Sequence, residues 1–304
     1  MNILFLCTGN TCRSPMAAGL SVERCAERLI EFHPNETAVS SGAPCSIVSA
    51  GISAWPDSPA APNAVAAAKE LGADISSHRS QQITPALLIQ SDFIVCLSAS
   101  HARAIAALVP WEKIRVLGGG IADPYGGDLE TYRACVRQID GALSSLLPDF
   151  LCEASIIPTE EAHLPALAEL ERQCFTPPAS EAKLREKFAL ENNYMLSAVL
   201  DGEIAAGNAV AGFVGVDEIS GEAFVDDLAV SPQYRRRGIA SALLARAETG
   251  AILRGCEKIH LECREGNEGA LRLYEARGYE RVGRRKNFYE SPREDAILFT
   301  MEIV

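Results

Sequence analysis

"LFLCTGNTCRSPM", residues 4–16, runs from an apolar stretch through a short polar loop into a helix-forming segment. Ile3-Leu4-Phe5-Leu6 has the continuous apolar character of a buried strand. From Pro15 onward, Met16, Ala17, Ala18, Leu20 and Val22 are spaced for a helix. Ser14 stands where an N-cap is expected, and Pro15 suits the first helical position. Cys7 therefore falls at the carboxyl end of a strand, and the loop behind it opens onto a helix N-terminus.

Outward from this stretch the first half alternates strands and helices. The patterns predict strands at 46–50, 92–97 and 113–117, and helices at about 60–71, 101–108 and 129–147, the last stopped by Pro148. Repeated strand–helix units imply an α/β fold with a doubly wound parallel four-stranded sheet, in flavodoxin-like order. Such a sheet places its ligand at the carboxyl ends of the strands. "DFLCEASIIPTEE" (149–161) reads as a linker, which sets the expected domains at 1–152 and 153–304. The second half predicts a strand at 155–157, a helix at 160–172 capped by Thr159, and hairpin strands around Asp201-Gly202. A long strand then ends at Val230, a helix starts at Ile239, a strand covers 258–262 and a helix 268–276. That order is α+β, with a mixed, mostly antiparallel sheet.

A chain of 304 residues suits two domains, each with its own core. The net charge of -12 argues against general affinity for nucleic acid or an anionic membrane. No apolar run approaches the roughly 20 residues of a membrane span, and the N-terminus has no basic leader or cleavage site. The ten cysteines show neither metal-ligand pairing nor the density of a secreted scaffold, so reduced thiols in the cytoplasm and no bound metal are expected.

Cys7 and Arg13 are separated by five residues. A thiol reacts as its thiolate, and a helix N-terminus with an arginine favours that form. Loop amides ahead of a helix make a nest for an oxyanion, and a guanidinium grips two phosphate oxygens. Together they suit phosphoryl transfer to sulfur followed by hydrolysis. That chemistry needs an acid for the leaving group, and "GIADPYGGD" (120–128) offers Asp123 in a glycine-rich loop.

"CTGNTCRSP" (7–15), "VSAGISAWPDSPA" (48–60), "GADISSHRS" (72–80) and "ADPYGGDLETY" (122–132) resemble, in this order, the low-molecular-weight protein tyrosine phosphatase family. The resemblance spans about residues 1–150. It implies Cys7 as nucleophile, Arg13 as phosphate clamp and Asp123 as acid and then base, with no cofactor. It also implies Thr8, Gly9, Asn10, Thr11, Cys12, Ser14 and Tyr125 around the substrate, and a hydrogen-bond network through Asn10, Ser14, Ser49 and His78. Tyrosine-directed members usually carry a branched aliphatic residue at the place of Thr11, and often a second aromatic one at the place of Gly126. "CTGNTCRSP" with "DPYGG" is similar to the protein-arginine phosphatase branch. A hydroxyl offers a hydrogen-bond partner to a phosphoguanidine, where an isoleucine offers only packing against a ring. Phosphoarginine is the favoured substrate, phosphotyrosine the alternative. An arsenate reductase of the same fold is the third reading. It relies on two further cysteines in a mobile segment, and that region here holds only Cys96, within an apolar strand.

"LAVSPQYRRRGIASALL" (228–244) is the counterpart in the second half: strand, turn, then a helix beyond Gly238. A glycine there lets the backbone approach a ligand, and free amides at a helix start suit a pyrophosphate. The turn, with "IHLECREGNEGALRLYEARGYERVG" (259–283), resembles the GNAT acetyltransferases over about residues 154–304. The resemblance implies acetyl-coenzyme A held by Arg235, Arg236, Arg237, Gly238, Ile239 and Ala240. The backbone of Leu228, Ala229 and Val230 would align the thioester, and Asn267 would contact the cofactor. The segment is most similar to ribosomal-protein alanine N-acetyltransferases, a branch that implies Glu262 as general base and Tyr274 as general acid. The expected partners are phosphorylated proteins and the N-terminus of a ribosomal protein. The alternative for this half is acetylation of another amine, or a binding or regulatory module.

Overall fold

The computed structural model describes residues 2–32, 46–150, 152, 154–200 and 210–304. The chain divides into two compact units, residues 1–143 with Val304, and residues 144–303.

In the first unit β1 (Asn2–Cys7), β2 (Ser46–Gly51), β3 (Phe93–Cys96) and β4 (Ile114–Val116) form one sheet in the order β2-β1-β3-β4. Every pairing is parallel. Helices α1 (Arg13–Phe32), α2 (Pro62–Glu70), α3 (Pro85–Gln90), α4 (Ala99–Ile105) and α5 (Leu129–Phe150) make the connections, and the last crosses the division between the units. Leu4, Phe5 and Leu6 are wholly buried in β1, as befits a strand covered on both faces. Two expectations need correction. α1 opens at Arg13, so Ser14 lies inside the helix and is not its cap. Pro148 does not stop α5, which continues to Phe150; a proline this near the end disturbs the bonding of the last turn alone. The pattern missed α3, a single turn-and-a-half made legible by Thr84, whose hydroxyl accepts the Leu87 amide, and by Pro85 at its start.

The second unit is built on a seven-stranded sheet. Its strands are β5 (Ala154–Pro158), β6 (Asn193–Leu200), β7 (Val210–Ile219), β8 (Glu222–Val230), β9 (Lys258–Arg264), β10 (Glu280–Glu290) and β11 (Arg293–Glu302). They lie in the order β10-β11-β9-β8-β7-β6-β5. Only β8 and β9 run parallel. Their pairing covers Glu222↔Lys258 to Val225↔Leu261 and ends there, so Asp226–Val230 and Glu262–Arg264 form the open prongs of a fork. Helices α6 (Leu164–Cys174), α7 (Glu181–Phe188), α8 (Ile239–Leu253) and α9 (Glu268–Ala276) complete the unit. α8 is buried almost from end to end, and its Glu248 pairs with Arg277 at 2.6 Å, both side chains shielded from solvent. Thr159 does not cap the approach to α6. Its hydroxyl lies 2.8 Å from Ser197 Oγ, and Glu160 takes the capping position. The hairpin expected around Asp201-Gly202 falls outside the described residues. The β10–β11 hairpin was hidden because β10 exposes both faces and lacks an alternating pattern. Among the described residues, no helix is long and apolar enough to cross a membrane.

Candidate active sites

In the first unit, Cys7 ends β1 in register with Gly51 of β2. The loop that follows turns its carbonyls away from the site. The Ile52 amide donates to Cys7 O, Ser53 to Thr8 O and Ala61 to Thr11 O, at 2.8–2.9 Å, and His78 Nε2 donates to Asn10 O at 2.7 Å. Among the described residues, the amides of Thr8, Gly9, Thr11, Cys12 and Arg13 have no backbone acceptor. With these carbonyls bonded to other elements, the loop has N–H groups to offer an oxyanion beside the sulfur. The Asn10 amide donates to Cys7 Sγ at 3.3 Å.

Asn10 organises the loop. Its φ of 54° is left-handed, a conformation that asparagine tolerates better than most residues. Its side-chain Nδ2 donates to Ser14 Oγ and Ser49 Oγ, both at 2.9 Å, and its Oδ1 accepts the Gln81 amide. Ser14 Oγ lies 3.0 Å from Cys7 Sγ, accepts from Asn10 Nδ2 and also lies 3.4 Å from the Ala50 carbonyl, to which it donates. Ser14 stands inside α1, and its hydroxyl is taken up by Asn10, the thiol and the Ala50 carbonyl. A Cβ on Gly51 would lie 2.5 Å from Thr8 O and 3.0 Å from the Asn10 amide, so β2 reaches the loop only as glycine.

Arg13 is 6% exposed and makes two contacts. Nη2 pairs with Asp123 Oδ2 at 2.6 Å, and Nη1 donates to Ile121 O at 3.0 Å. Asp123 is half exposed, its other oxygen accepting the Tyr125 amide at 3.3 Å, and the Tyr125 ring stands in solvent. Thr11 is half buried beside the buried Cys12, whose Sγ lies 3.2 Å from Tyr132 Oη. The structure thus brings Cys7, Asn10, Ser14, Ser49 and His78 into one network, and Arg13 with Asp123 forms a separate pair at the end of the same loop.

Two neighbours went unnoticed in the sequence. Tyr132, on the first turn of α5, backs Cys12. His101 on α4 is buried between Thr8 Oγ1 at 2.9 Å and Ser98 Oγ at 2.8 Å. Burial, reinforced by the Arg13 charge, pulls the His101 imidazole down to about 4. The signal available was the spacing Ser98-x-x-His101, a helix cap with a histidine on its third following residue. Burial pushes the Cys135 thiol up to about 12 and the Cys96 thiol higher still, so neither is a ready redox partner.

In the second unit the turn after β8 has two left-handed residues, Arg236 (φ 67°) and Gly238 (φ 79°). Gly238 holds the N-cap position of α8 without a side-chain cap, which leaves the amides of the first turn to donate to an outside partner. Arg235 Nε donates to Val230 O at 3.2 Å, and the Arg237 guanidinium sits 5.6 Å from the centre of the Tyr234 ring. Leu228, Ala229 and Val230 pair with β7 on one side and face the fork on the other. Ile239 is buried and Ala240 half buried at the start of α8.

Glu262 is the first residue of β9 beyond the last pair with β8. Burial raises its carboxyl pKa above the usual range, against the opposing pull of Arg285, whose Nη1 lies 3.0 Å away. Asn267 caps α9 by accepting the Ala270 amide at 3.2 Å. Tyr274 is 6% exposed, set edge-on to Phe299 at 5.6 Å, and burial raises its phenol. Phe299 is in register with Leu261, and Glu262 with Leu298. Since neighbours along a strand alternate sides, Glu262 and Tyr274 lie on opposite faces of the sheet at the fork and do not touch. Lys187, also missed in the sequence, pairs with Asp226 and, at 2.9 Å, with Asp227 on the opposing prong.

A thiol in an oxyanion nest, with an arginine and a carboxylate beside it, defines the class of the first unit: a cysteine-centred phosphatase. A forked sheet with a glycine-capped helix defines that of the second. Residues 2–156 match the family model of the low molecular weight phosphotyrosine protein phosphatases, and residues 164–279 that of the acetyltransferase (GNAT) family. The chain belongs to the first family and carries a GNAT domain in its second half; both families are enzymes. It is 30% identical over 155 residues to a protein-arginine-phosphatase of Bacillus subtilis, covering 48% of this chain and 94% of the relative. A probable low molecular weight protein-tyrosine-phosphatase, EpsP, of Ralstonia nicotianae is 32% identical over 152 residues, covering 48% and 93%. The ribosomal protein bS18 alanine N-acetyltransferase of Escherichia coli is 30% identical over 146 residues, covering 47% and 94%.

Proposed function

We propose that the phosphatase half dephosphorylates phosphoarginine in proteins through a cysteinyl-phosphate, and that the acetyltransferase half modifies the N-terminal alanine of a ribosomal protein. The observation that carries the first reading is the sulfur of Cys7, which receives the Asn10 amide and lies 3.0 Å from the Ser14 hydroxyl, inside a loop whose Cys7, Thr8, Asn10 and Thr11 carbonyls are bonded to other elements. Cys7 attacks phosphorus while Arg13 and the loop amides hold the phosphoryl oxygens. The phosphorus–nitrogen bond breaks, its electron pair goes to nitrogen, and Asp123 supplies the proton. Water then attacks the cysteinyl-phosphate, giving its proton to Asp123 and releasing phosphate and the thiolate.

The relatives include arginine and tyrosine phosphatases at similar identity, 30% and 32%, so the choice of substrate rests on residues. Asp123 already holds a guanidinium, that of Arg13, at 2.6 Å, which supports a substrate whose leaving group is a guanidinium. Thr11 supplies a hydroxyl at the position where an aliphatic residue would suit an aromatic ring. The purified protein is expected to hydrolyse phosphoarginine peptides faster than phosphotyrosine peptides, and Thr11→Ile to shrink that ratio. A clear preference for phosphotyrosine, or an unchanged ratio in the variant, sinks this reading.

The second half fits a pyrophosphate-bearing acetyl donor, because Gly238 opens α8 without a side-chain cap and the fork exposes one edge of Leu228–Val230. When bound, acetyl-coenzyme A supplies the acetyl group as a thioester. Residues 235–240 would hold its phosphates, the main chain of Leu228, Ala229 and Val230 its thioester arm, and Asn267 would contact it as well. Glu262 takes the proton from the acceptor amine, whose ordinary pKa near 8 asks only for mild base assistance. Tyr274, kept protonated by burial, gives a proton to the departing thiolate. Tyr274→Phe should lower acetylation of a peptide with an N-terminal alanine by about 10²-fold. Full activity in that variant removes Tyr274 from the mechanism. Ten cysteines without the density of a secreted scaffold support the reducing cytoplasm as the place of work.

A further inference from the structure

His101 lies under the phosphatase loop with both ring nitrogens engaged: Nδ1 is 2.8 Å from Ser98 Oγ and Nε2 is 2.9 Å from Thr8 Oγ1. We propose that His101 is a positioning residue which donates its Nε2 hydrogen to the Thr8 hydroxyl, so that the hydroxyl's own hydrogen points to an oxygen of the phosphoryl group held by the Cys7 loop. The proposal rests on the phosphatase reading and adds a donor to it.

The proposed direction of the bonds agrees with a count of hydrogens. A hydroxyl has one hydrogen to give and two lone pairs to receive. Ser98 Oγ caps α4 by accepting the His101 main-chain amide, which uses one lone pair. Ser100 Oγ, 2.8 Å away on an exposed residue, can turn its hydrogen onto the second. The Ser98 hydrogen then goes to His101 Nδ1. At 3% exposure the imidazole is neutral, so it carries one hydrogen, and that hydrogen sits on Nε2, facing Thr8. Thr8 thereby accepts from His101 and must donate elsewhere. Its main-chain carbonyl is fixed by the Ser53 amide at 2.9 Å, and it directly follows Cys7. Thr8 is exposed while His101 is not, so the free hydrogen lies on the open side of the loop, where a substrate arrives.

The test uses the full-length protein with p-nitrophenyl phosphate, a probe that does not depend on the choice between arginine and tyrosine. In the wild type, nitrogen-15 NMR of the histidine rings should find His101 as the Nε2–H tautomer; the Nδ1–H tautomer overturns the proposal without any substitution. Thr8→Val and His101→Phe should each lower kcat/KM about tenfold, the scale of one lost hydrogen bond to a charged group. The double variant should be no worse than the poorer single one, and Thr8→Ser, which keeps the hydroxyl, should recover most of the rate that Thr8→Val loses. Losses that multiply in the double variant, or a Thr8→Val enzyme equal to wild type, overturn the role of His101. If His101→Phe melts early, Thr8→Val against Thr8→Ser decides together with the tautomer. Turnover surviving in Cys7→Ser would instead overturn the phosphatase reading itself.

Discussion

Cys7–Arg13 and Ser231–Gly238 are both loops that carry a strand into the N-terminus of a helix, yet they use that position in opposite ways. In the first loop the side chains face the site. Cys7, Asn10 and Arg13 are buried, Asn10 donates to the sulfur while Arg13 holds Asp123, and the main chain is fixed by its carbonyls. In the second loop the side chains serve the loop itself, Arg235 on Val230 O and Arg237 on the Tyr234 ring, while two left-handed residues shape the backbone. One cradle holds the reacting atoms. The other grips a phosphate handle and leaves the chemistry to Glu262 and Tyr274, which come from β9 and α9.

That contrast is broken most sharply at Cys7. Cys7→Ser removes the nucleophile from the first cradle, and phosphatase turnover should fall by about 10⁴-fold or more. Acetylation by the same preparation should be unchanged. Any matching loss of acetylation would mean that the variant has damaged the whole chain. Glu262→Gln is the reciprocal change, with a smaller loss of about 10²- to 10³-fold in acetylation and none in phosphatase activity. Its pH profile carries the sign. Burial raises the Glu262 pKa, the protonated form cannot act as base, and wild-type activity therefore climbs as pH rises through that raised value. The variant should lose this low-pH limb and keep the limb that belongs to the amine. A persisting low-pH limb would place the base elsewhere.

The two cradles were not equally legible in the sequence. The first announces itself because reactive side chains sit at fixed spacing, Cys7 to Arg13, and parallel strand–helix units put that spacing at a strand end. Its support was less visible. His101 and Tyr132 reach the loop only through folding, from positions 94 residues and 125 residues beyond Cys7 in the numbering. Ser14 reads as a cap in the pattern, but α1 opens one residue earlier, at Arg13, and the Ser14 hydroxyl serves Asn10, the thiol and the Ala50 carbonyl. In the second unit, α8 and α9 start where their glycine and asparagine caps indicate. The fork did not appear in the sequence at all, since the end of a strand pairing leaves no mark on hydrophobic alternation. The same holds for Arg285 beside Glu262, which arrives from an edge strand exposed on both faces.

The smallest expected effect sharpens the comparison furthest, because it separates gripping from reacting. Gly238 has a φ of 79°, and a Cβ there costs about 1–2 kcal/mol if the turn is kept. Gly238→Ala should therefore raise KM for acetyl-coenzyme A by roughly tenfold while kcat at saturation stays near wild type. The reason is positional: the turn is an end of the site that makes and breaks no bond, and the residues that do are held by β9 and α9. Steady-state kinetics with the donor varied at fixed peptide reads both constants. A fall in kcat with KM unmoved would show that the turn also sets the reacting geometry, and the second cradle would then resemble the first more than its side chains indicate.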